Sequence, residues 1–331
     1  MAKEVTVTAE ETAEVKVKTP KEKKQPVSRK DMTKWQWTLK EIKRNGTAYA
    51  LVAPFMIIFC LFTVIPVIVS IALSFTNFNM LQWPDFVFMD NYIRLFLDDD
   101  LFITAIQNTL IFAAATGPIS YLLSFVVAWF INELSPKIRA IVTLIFYAPS
   151  IAGSAYTIWA YIFSGDSYGF VNGWLLKLNI IQDPIQWFRD TTYCMPLCIV
   201  VSLWMSLGTA FLSFIAGLQV VDRSLYEAGA VDGVKNRWQE LYYITLPCMK
   251  QQLMFGAVLA ITGAFGFGGV VDALAGNPSV DYCAWTITHH LADYGGARFE
   301  VGYAAAISVL LFLMSFGSNI LIKKLLSKLG Q

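Results

Sequence analysis

Apolar and polar residues fall in long blocks along this chain rather than alternating residue by residue. Six apolar stretches stand out, at 47–75, 103–131, 141–163, 194–218, 253–275 and 301–322, and none contains a lysine or an arginine. A helix rises about 1.5 Å per residue, so each is long enough to cross roughly 30 Å of hydrocarbon. The pattern predicts an all-α membrane protein with six transmembrane helices. The polar joint between the fourth and fifth stretches carries the most local signal. Asp222 or Ser224 can cap a helix entered there, and Ser224 and Glu227 have the capping-box spacing, in which hydroxyl and carboxylate each accept a backbone N–H. Gly233 suits the left-handed residue that ends such a helix. Asn236 with Gln239 can open a second short helix, and Pro247 marks the return to the membrane. The expected layout is a tail over 1–46, a transmembrane domain over 47–325 with a two-helix loop at 222–247, and a short end at 326–331.

Composition agrees with the block pattern. The chain is 56% hydrophobic with mean hydropathy +0.53, and 15% of it is charged against about 25% in soluble domains. The net charge of +1 hides strong segregation. With both termini on the cytoplasmic side, 21 of the 25 Lys and Arg fall inside, and only Arg94, Lys177, Arg189 and Arg298 fall outside. The positive-inside rule therefore places the 222–247 loop in the cytoplasm. The tail is rich in Lys, Glu, Thr and Val, has no aromatic residue before Trp35, and reads as disordered. Its first apolar stretch starts too late and runs too long for a signal peptide. Its lysines near the membrane fit either contact with anionic lipid or a solvated topology signal.

Candidate chemistry is sparse. No Gly-Lys pair exists, so the loop that cradles nucleotide phosphates is missing. The run 263–269, GAFGFGG, lies inside an apolar stretch and suits close helix packing or irregular backbone lining a cavity. Asp272 beside it is an acid near the end of a span, fit for function or for simple solvation. No hydrolytic triad or metal motif is present, and the sequence reads as no enzyme. Cys194 and Cys198 read as small packing residues, and His289 and His290 as solvated or hydrogen-bonded loop residues. Ser202, Ser206, Thr209 and Ser213 recur at steps of four, three and four, which puts four uncharged hydroxyls on one side of a helix. Ser150, after Pro149, adds another hydroxyl beside a helix break. Such groups suit a path for sugar hydroxyls, and equally suit helix packing.

The stretch 227–247, EAGAVDGVKNRWQELYYITLP, resembles the EAA loop of ABC importer permeases. Glu227, Ala228, Asp232, Gly233, Ile244, Leu246 and Pro247 match the family pattern. Gly229 departs from it, replacing an alanine and weakening the first helix by about 1 kcal/mol. One residue more than the pattern separates Gly233 from Ile244, which is expected to re-aim the second helix. The segments 88–110, 276–287 and 295–308 resemble sugar-type permeases in the same order. The resemblance implies six helices per subunit and import of a carbohydrate, an oligosaccharide or a related one. It implies a second permease subunit, two ATP-binding subunits, an extracytoplasmic solute-binding protein and surrounding membrane lipid as partners, in a bacterial cell membrane, with no nucleic acid. ATP would be bound by the partner ATPase, with no cofactor in this chain. Glu227, Ala228, Asp232 and Gly233 would form the ATPase-coupling element, and Ser150, Ser202, Ser206 and Thr209 the substrate path. Two other readings stay open. One is an ABC permease for a phosphorylated polyol or a peptide, which the lack of basic residues in the spans disfavours for anions. The other is a stand-alone secondary transporter, which would need a coupling-ion site and usually internal repeats.

Overall fold

The computed structural model describes residues 34–329, so the disorder expected for 1–33 lies outside the described residues. Two compact units divide at Val64 and Ile65. The first contains α1 (Lys34–Arg44), which stands inside the stretch expected to be unstructured, and, after Asn45, the start of α2 (Gly46–Leu73). α2 is 28 residues long, with a π-helical turn at Cys60–Val64. Apolar residues surround it on every side and none of its most apolar window is buried, the mark of a helix that belongs in lipid or against another apolar surface.

The second unit holds α3 (Asp90–Leu97), α4 (Asp100–Asn132), α5 (Pro136–Ile151), α6 (Thr157–Ile162), α7 (Phe170–Lys177), α8 (Thr191–Met205) and α9 (Thr209–Val220). There follow α10 (Arg223–Val231), α11 (Arg237–Cys248), α12 (Lys250–Ala264), α13 (Gly268–Ala275), α14 (Ile287–Ala292) and α15 (Val301–Leu329). Among the described residues the only extended pairing is an isolated bridge between Thr76 and Phe86. All six apolar stretches are helical, but three of them are broken. α2, α4 and α15 are continuous and long enough to cross a membrane; α8 with α9, bent by 40°, and α11 with α12, bent by 83°, raise the number of candidate spans to five. The breaks have local causes. Pro149 lies inside α5 two residues before its end. Gly208 takes a non-helical conformation between α8 and α9. The glycine-rich run interrupts the fifth stretch between Ala264 and Gly268.

The core is organised along α4. Its buried residues Phe102, Ala105, Thr109, Phe112, Thr116, Ser120, Ser124, Ala128 and Ile131 recur at steps of three and four, a single inward stripe on a helix that is apolar almost all round. The stripe threads three clusters. Phe102 and Ala105 pack with Trp285, Ile287 and Tyr303; Phe112 with Cys198, Val201 and Val271; Phe125 and Ala128 with Phe211, Phe214 and Met249. Its hydroxyls are satisfied locally: Thr109 donates to the Ala105 carbonyl at 2.7 Å and Thr116 to Phe112 at 2.8 Å, as buried hydroxyls must in a medium without water.

Asp99 caps α4, its Oδ1 accepting the Phe102 N–H at 2.9 Å. Its Oδ2 is approached by three further groups: the Tyr303 hydroxyl at 2.7 Å, His290 Nε2 at 2.9 Å and the Tyr294 hydroxyl at 3.4 Å. Trp285 Nε1 donates to His290 Nδ1 at 3.3 Å. An indole N–H is a donor only, so the imidazole proton sits on Nε2 and points at Asp99. Burial pushes the Asp99 carboxyl up, but the bonds from Tyr303, Phe102 and His290 outweigh it and hold the group below the usual carboxylate range. Burial lowers His290, and the neighbouring Asp99 only partly opposes it. Arg94 lies 4.2 Å above the Tyr303 ring and pairs with Glu300 at 2.5 Å. Both histidines are buried and hydrogen-bonded; His289 Nε2 lies 3.2 Å from both the Gly268 carbonyl and Asp272.

Candidate functional site: the 222–247 loop and the helix break beside it

α10 begins two positions earlier than the Ser224–Glu227 spacing suggests. Asp222 has extended backbone and accepts the Ser224 N–H at 3.0 Å. That bond, with a second from the Ser224 hydroxyl, lowers the Asp222 carboxyl below its ordinary range. With Asp222 as the cap, Ser224 already lies inside the first turn and Glu227 beyond it, so the expected capping box does not form. Glu227 and Ala228 on α10 and Asp232 and Gly233 just after it are all exposed, and α10 buries no residue within this chain.

The end of α10 follows the expectation closely. Gly233 has φ +96°. The Val234 N–H returns to the Gly229 carbonyl at 2.9 Å and the Gly233 N–H to the Ala230 carbonyl at 3.4 Å. This is the Schellman closure, which satisfies the last carbonyls of a helix and needs a left-handed residue at its turning point. A Cβ on Gly233 would meet nothing within 4 Å, so the demand for glycine within this chain is one of backbone conformation alone. Gly229 is different. A Cβ there would lie 2.7 Å from Ile244 Cδ1, so the missing methyl lets Ile244 seat against α10. Tyr226 and Thr245 share a hydroxyl bond of 2.9 Å beside it, and the two helices become one small body.

α11 is capped by Asn236, whose side chain accepts the Gln239 N–H at 2.9 Å, while Gln239 accepts the Lys235 N–H at 2.8 Å. α11 contains a π-helical turn over Leu241–Thr245. Such a turn holds one residue more than an α-helical one. Leu241 and Thr245 remain buried, and Tyr242 and Tyr243 project outward, edge to face with centroids 5.1 Å apart. α11 is tied to the end of α4 by Trp238 against Trp129, centroids 5.2 Å apart, and by an ion pair between Arg237 and Glu133.

The hydroxyl stripe does not lie on one helix. Ser202 and Ser206 belong to α8 and its cap, Thr209 and Ser213 to α9, and the 40° bend falls between them. Ser202 is fully buried, and its hydroxyl has no partner among the described residues. Ser206 donates to the Leu203 carbonyl at 2.7 Å, and Thr209 is exposed as the first residue of α9. Ser150 donates to the Tyr147 carbonyl at 2.8 Å and lies against Gly208, where a Cβ would come within 3.6 Å of its own. Ser150 and Ser206 thus flank the same break. The inward hydroxyls of α4, Thr109, Thr116, Ser120 and Ser124, escaped the sequence reading. The small residues Ala105, Gly117 and Ala128 beside them were the available signal.

Comparison with known proteins places this architecture. Residues 109–330 match the family described as binding-protein-dependent transport system inner membrane component. A probable ABC transporter permease protein, YesP of Bacillus subtilis strain 168, is 31% identical over 85% of this chain and 91% of its own length. The arabinooligosaccharides transport system permease protein AraP of the same organism is 29% identical over 82% of this chain and 85% of its own. A crystal structure of a bacterial alginate ABC transporter, in complex with an alginate pentasaccharide-bound periplasmic protein, contains a chain that aligns with TM-score 0.67. The two are 26% identical, over 87% of this chain and 97% of that one.

Proposed function

We propose a function from one premise: the chain belongs to the family of binding-protein-dependent transport system inner membrane components. It is a multi-pass permease subunit of an ABC importer and not itself an enzyme. Its cargo is a carbohydrate, an oligosaccharide in keeping with the names of its relatives. The importer is completed by a second permease subunit, two ATP-binding subunits and an extracytoplasmic solute-binding protein, and ATP is hydrolysed on the ATP-binding subunits. The chain crosses a bacterial cell membrane six times with both termini in the cytoplasm, the arrangement that puts 21 of 25 basic residues inside.

The single observation that carries the coupling role is α10: a capped, exposed helix, closed at Gly233, on a chain with no phosphate-binding loop of its own. Glu227, Ala228, Asp232 and Gly233 engage the ATPase. The substrate passes the break flanked by Ser150 and Ser206, with Ser202 and Thr209 on the helices to either side of it, uncharged hydroxyls being suited to neutral sugars. The test is ATP hydrolysis by the assembled, reconstituted complex with its solute-binding protein presented in turn with neutral oligosaccharides, oligouronides, glycerol phosphate and peptides. Stimulation by a saccharide is expected. Stimulation by glycerol phosphate or peptide alone would replace the substrate assignment, and a chain that captures no ATPase would overturn the importer reading.

A further inference from the structure

α1 has a role of its own, independent of what the protein transports. Its eleven residues, KWQWTLKEIKR, include four basic residues and one acidic one. At 100° per residue, Trp35, Leu39 and Ile42 fall on one face, at the i, i+4, i+7 spacing of an amphipathic helix. Arg44 falls opposite Trp35 and pairs with Glu41, so the polar side keeps its own charges occupied in part while the net charge stays positive. Trp35 is 72% exposed and Ile42 38%, so both ends of this apolar face are open to the surroundings.

The position of α1 says what covers that face. One residue, Asn45, separates its end from the first residue of α2, a helix of 28 residues with mean hydropathy 2.9 across its apolar window. The joint is closed by backbone bonds, Asn45 N–H to the Glu41 carbonyl at 3.0 Å and Ala48 N–H to the Asn45 carbonyl at 3.0 Å. A helix hinged so tightly to a membrane span is held within a few residues of the bilayer surface. An apolar face at that depth lies at the headgroup boundary, where a tryptophan ring is most at home. The excess of basic charge matches anionic headgroups, each lysine near such a surface favouring binding by about fivefold.

We propose that α1 is an interfacial helix that seats its Trp35–Ile42 face in the membrane boundary and its basic residues among anionic lipid headgroups. It would fix the plane from which α2 enters the bilayer.

The test uses the full permease in its assembled complex, in nanodiscs of phosphatidylcholine with or without phosphatidylglycerol. Nitroxide labels are placed at W35C or at R44C, with the exposed Cys60 and Cys248 replaced by serine. The label at position 35 is expected to collide several-fold more with oxygen, which concentrates in lipid, than with a water-soluble nickel chelate, and the label at 44 to show the reverse. Phosphatidylglycerol should drive the label at 35 deeper, and replacing Lys34, Lys40 and Lys43 with glutamine should abolish that response. Equal exposure of both positions to the nickel chelate would put α1 in water and overturn the proposal. Shielding of position 35 from both reagents would overturn it in favour of a protein partner. An unchanged depth on adding phosphatidylglycerol would refute the anionic-lipid assignment.

Discussion

Asp99 at one end of α4 and Glu133 at the other are both carboxylates that tie the helix to distant chain, and they are tied in opposite ways. Asp99 accepts from a backbone N–H, two tyrosines and a histidine, and its side chain is 9% exposed. Glu133 meets a single guanidinium, that of Arg237, and the two side chains are 40% and 62% exposed. The Asp99 end is complete within this chain: its donors are matched, and the rings of His290, Tyr294 and Tyr303 pack in tilted contact with centroids 4.5–4.8 Å apart. The loop end is well formed locally, by caps and a Schellman closure, yet leaves Val231, Trp238, Tyr242 and Tyr243 in the open. A region that satisfies its own groups is built for stability. A region preorganised in shape but not in contacts is built to receive something.

This contrast is open to direct attack. The largest effect should come from Asp99→Ala, which strands His290 and two tyrosine hydroxyls; the loss is about 3 kcal/mol, seen as a lower midpoint of thermal unfolding and poor assembly. Little change in unfolding would mean that the network is decoration. Next is Gly233→Val, which imposes the left-handed penalty of about 1–2 kcal/mol on the loop. Thermal unfolding of the permease should change little, while ATP hydrolysis by the complex and retention of the ATPase should fall sharply. The reverse pattern would erase the distinction between the two ends.

A smaller effect is expected from acid. His290 is held below its ordinary value by burial, and Asp99 is held below its own by its donors. Folded protein therefore binds fewer protons than unfolded protein. The stability these groups contribute is full above about pH 6.5 and declines as pH falls through the depressed values, first His290 and then Asp99. Protection from hydrogen exchange across 286–303, measured against the intrinsic rate at each pH, should fall below that pH, and His290→Gln should remove the first part of the change. Smallest is the loop anchor. Trp238→Ala should cost about 1 kcal/mol of local stability. Reversing the ion pair with Glu133→Arg and Arg237→Glu together should restore whatever either change alone removes, within the 0–1 kcal/mol typical of exposed pairs. Unequal coupling of uptake to ATP hydrolysis in the single variants is the measurement.

What could be read from the sequence follows the range of the forces involved. The turn at Gly233 and the cap at Asn236 depend on neighbours within four residues, and both appear in the sequence as they appear in the fold. The Ser224–Glu227 box fits locally too, yet Asp222 starts the helix first and leaves it no free N–H to serve. Periodicity over-reached at Ser202–Ser213, because it assumes a continuous helix and Gly208 interrupts one. The contact between Asp99 and His290 spans 191 residues and has no local signature at all. The inward stripe of α4 was hidden for another reason: where lipid and protein are equally apolar, hydrophobicity no longer marks the inside, and only the small residues do.

The π-helical turn at Leu241–Thr245 acts as a phase shifter. One added residue advances a helix by about 100°, so widening a single turn lets Trp238 keep facing Trp129 while Ile244 keeps facing Gly229. Deleting Tyr242 would tighten the turn, but it would rotate one half of α11 against the other, and only one of the two contacts could be kept. The outward pair of tyrosines is thus a by-product of length, and it gives this loop a surface that a loop one residue shorter would not present.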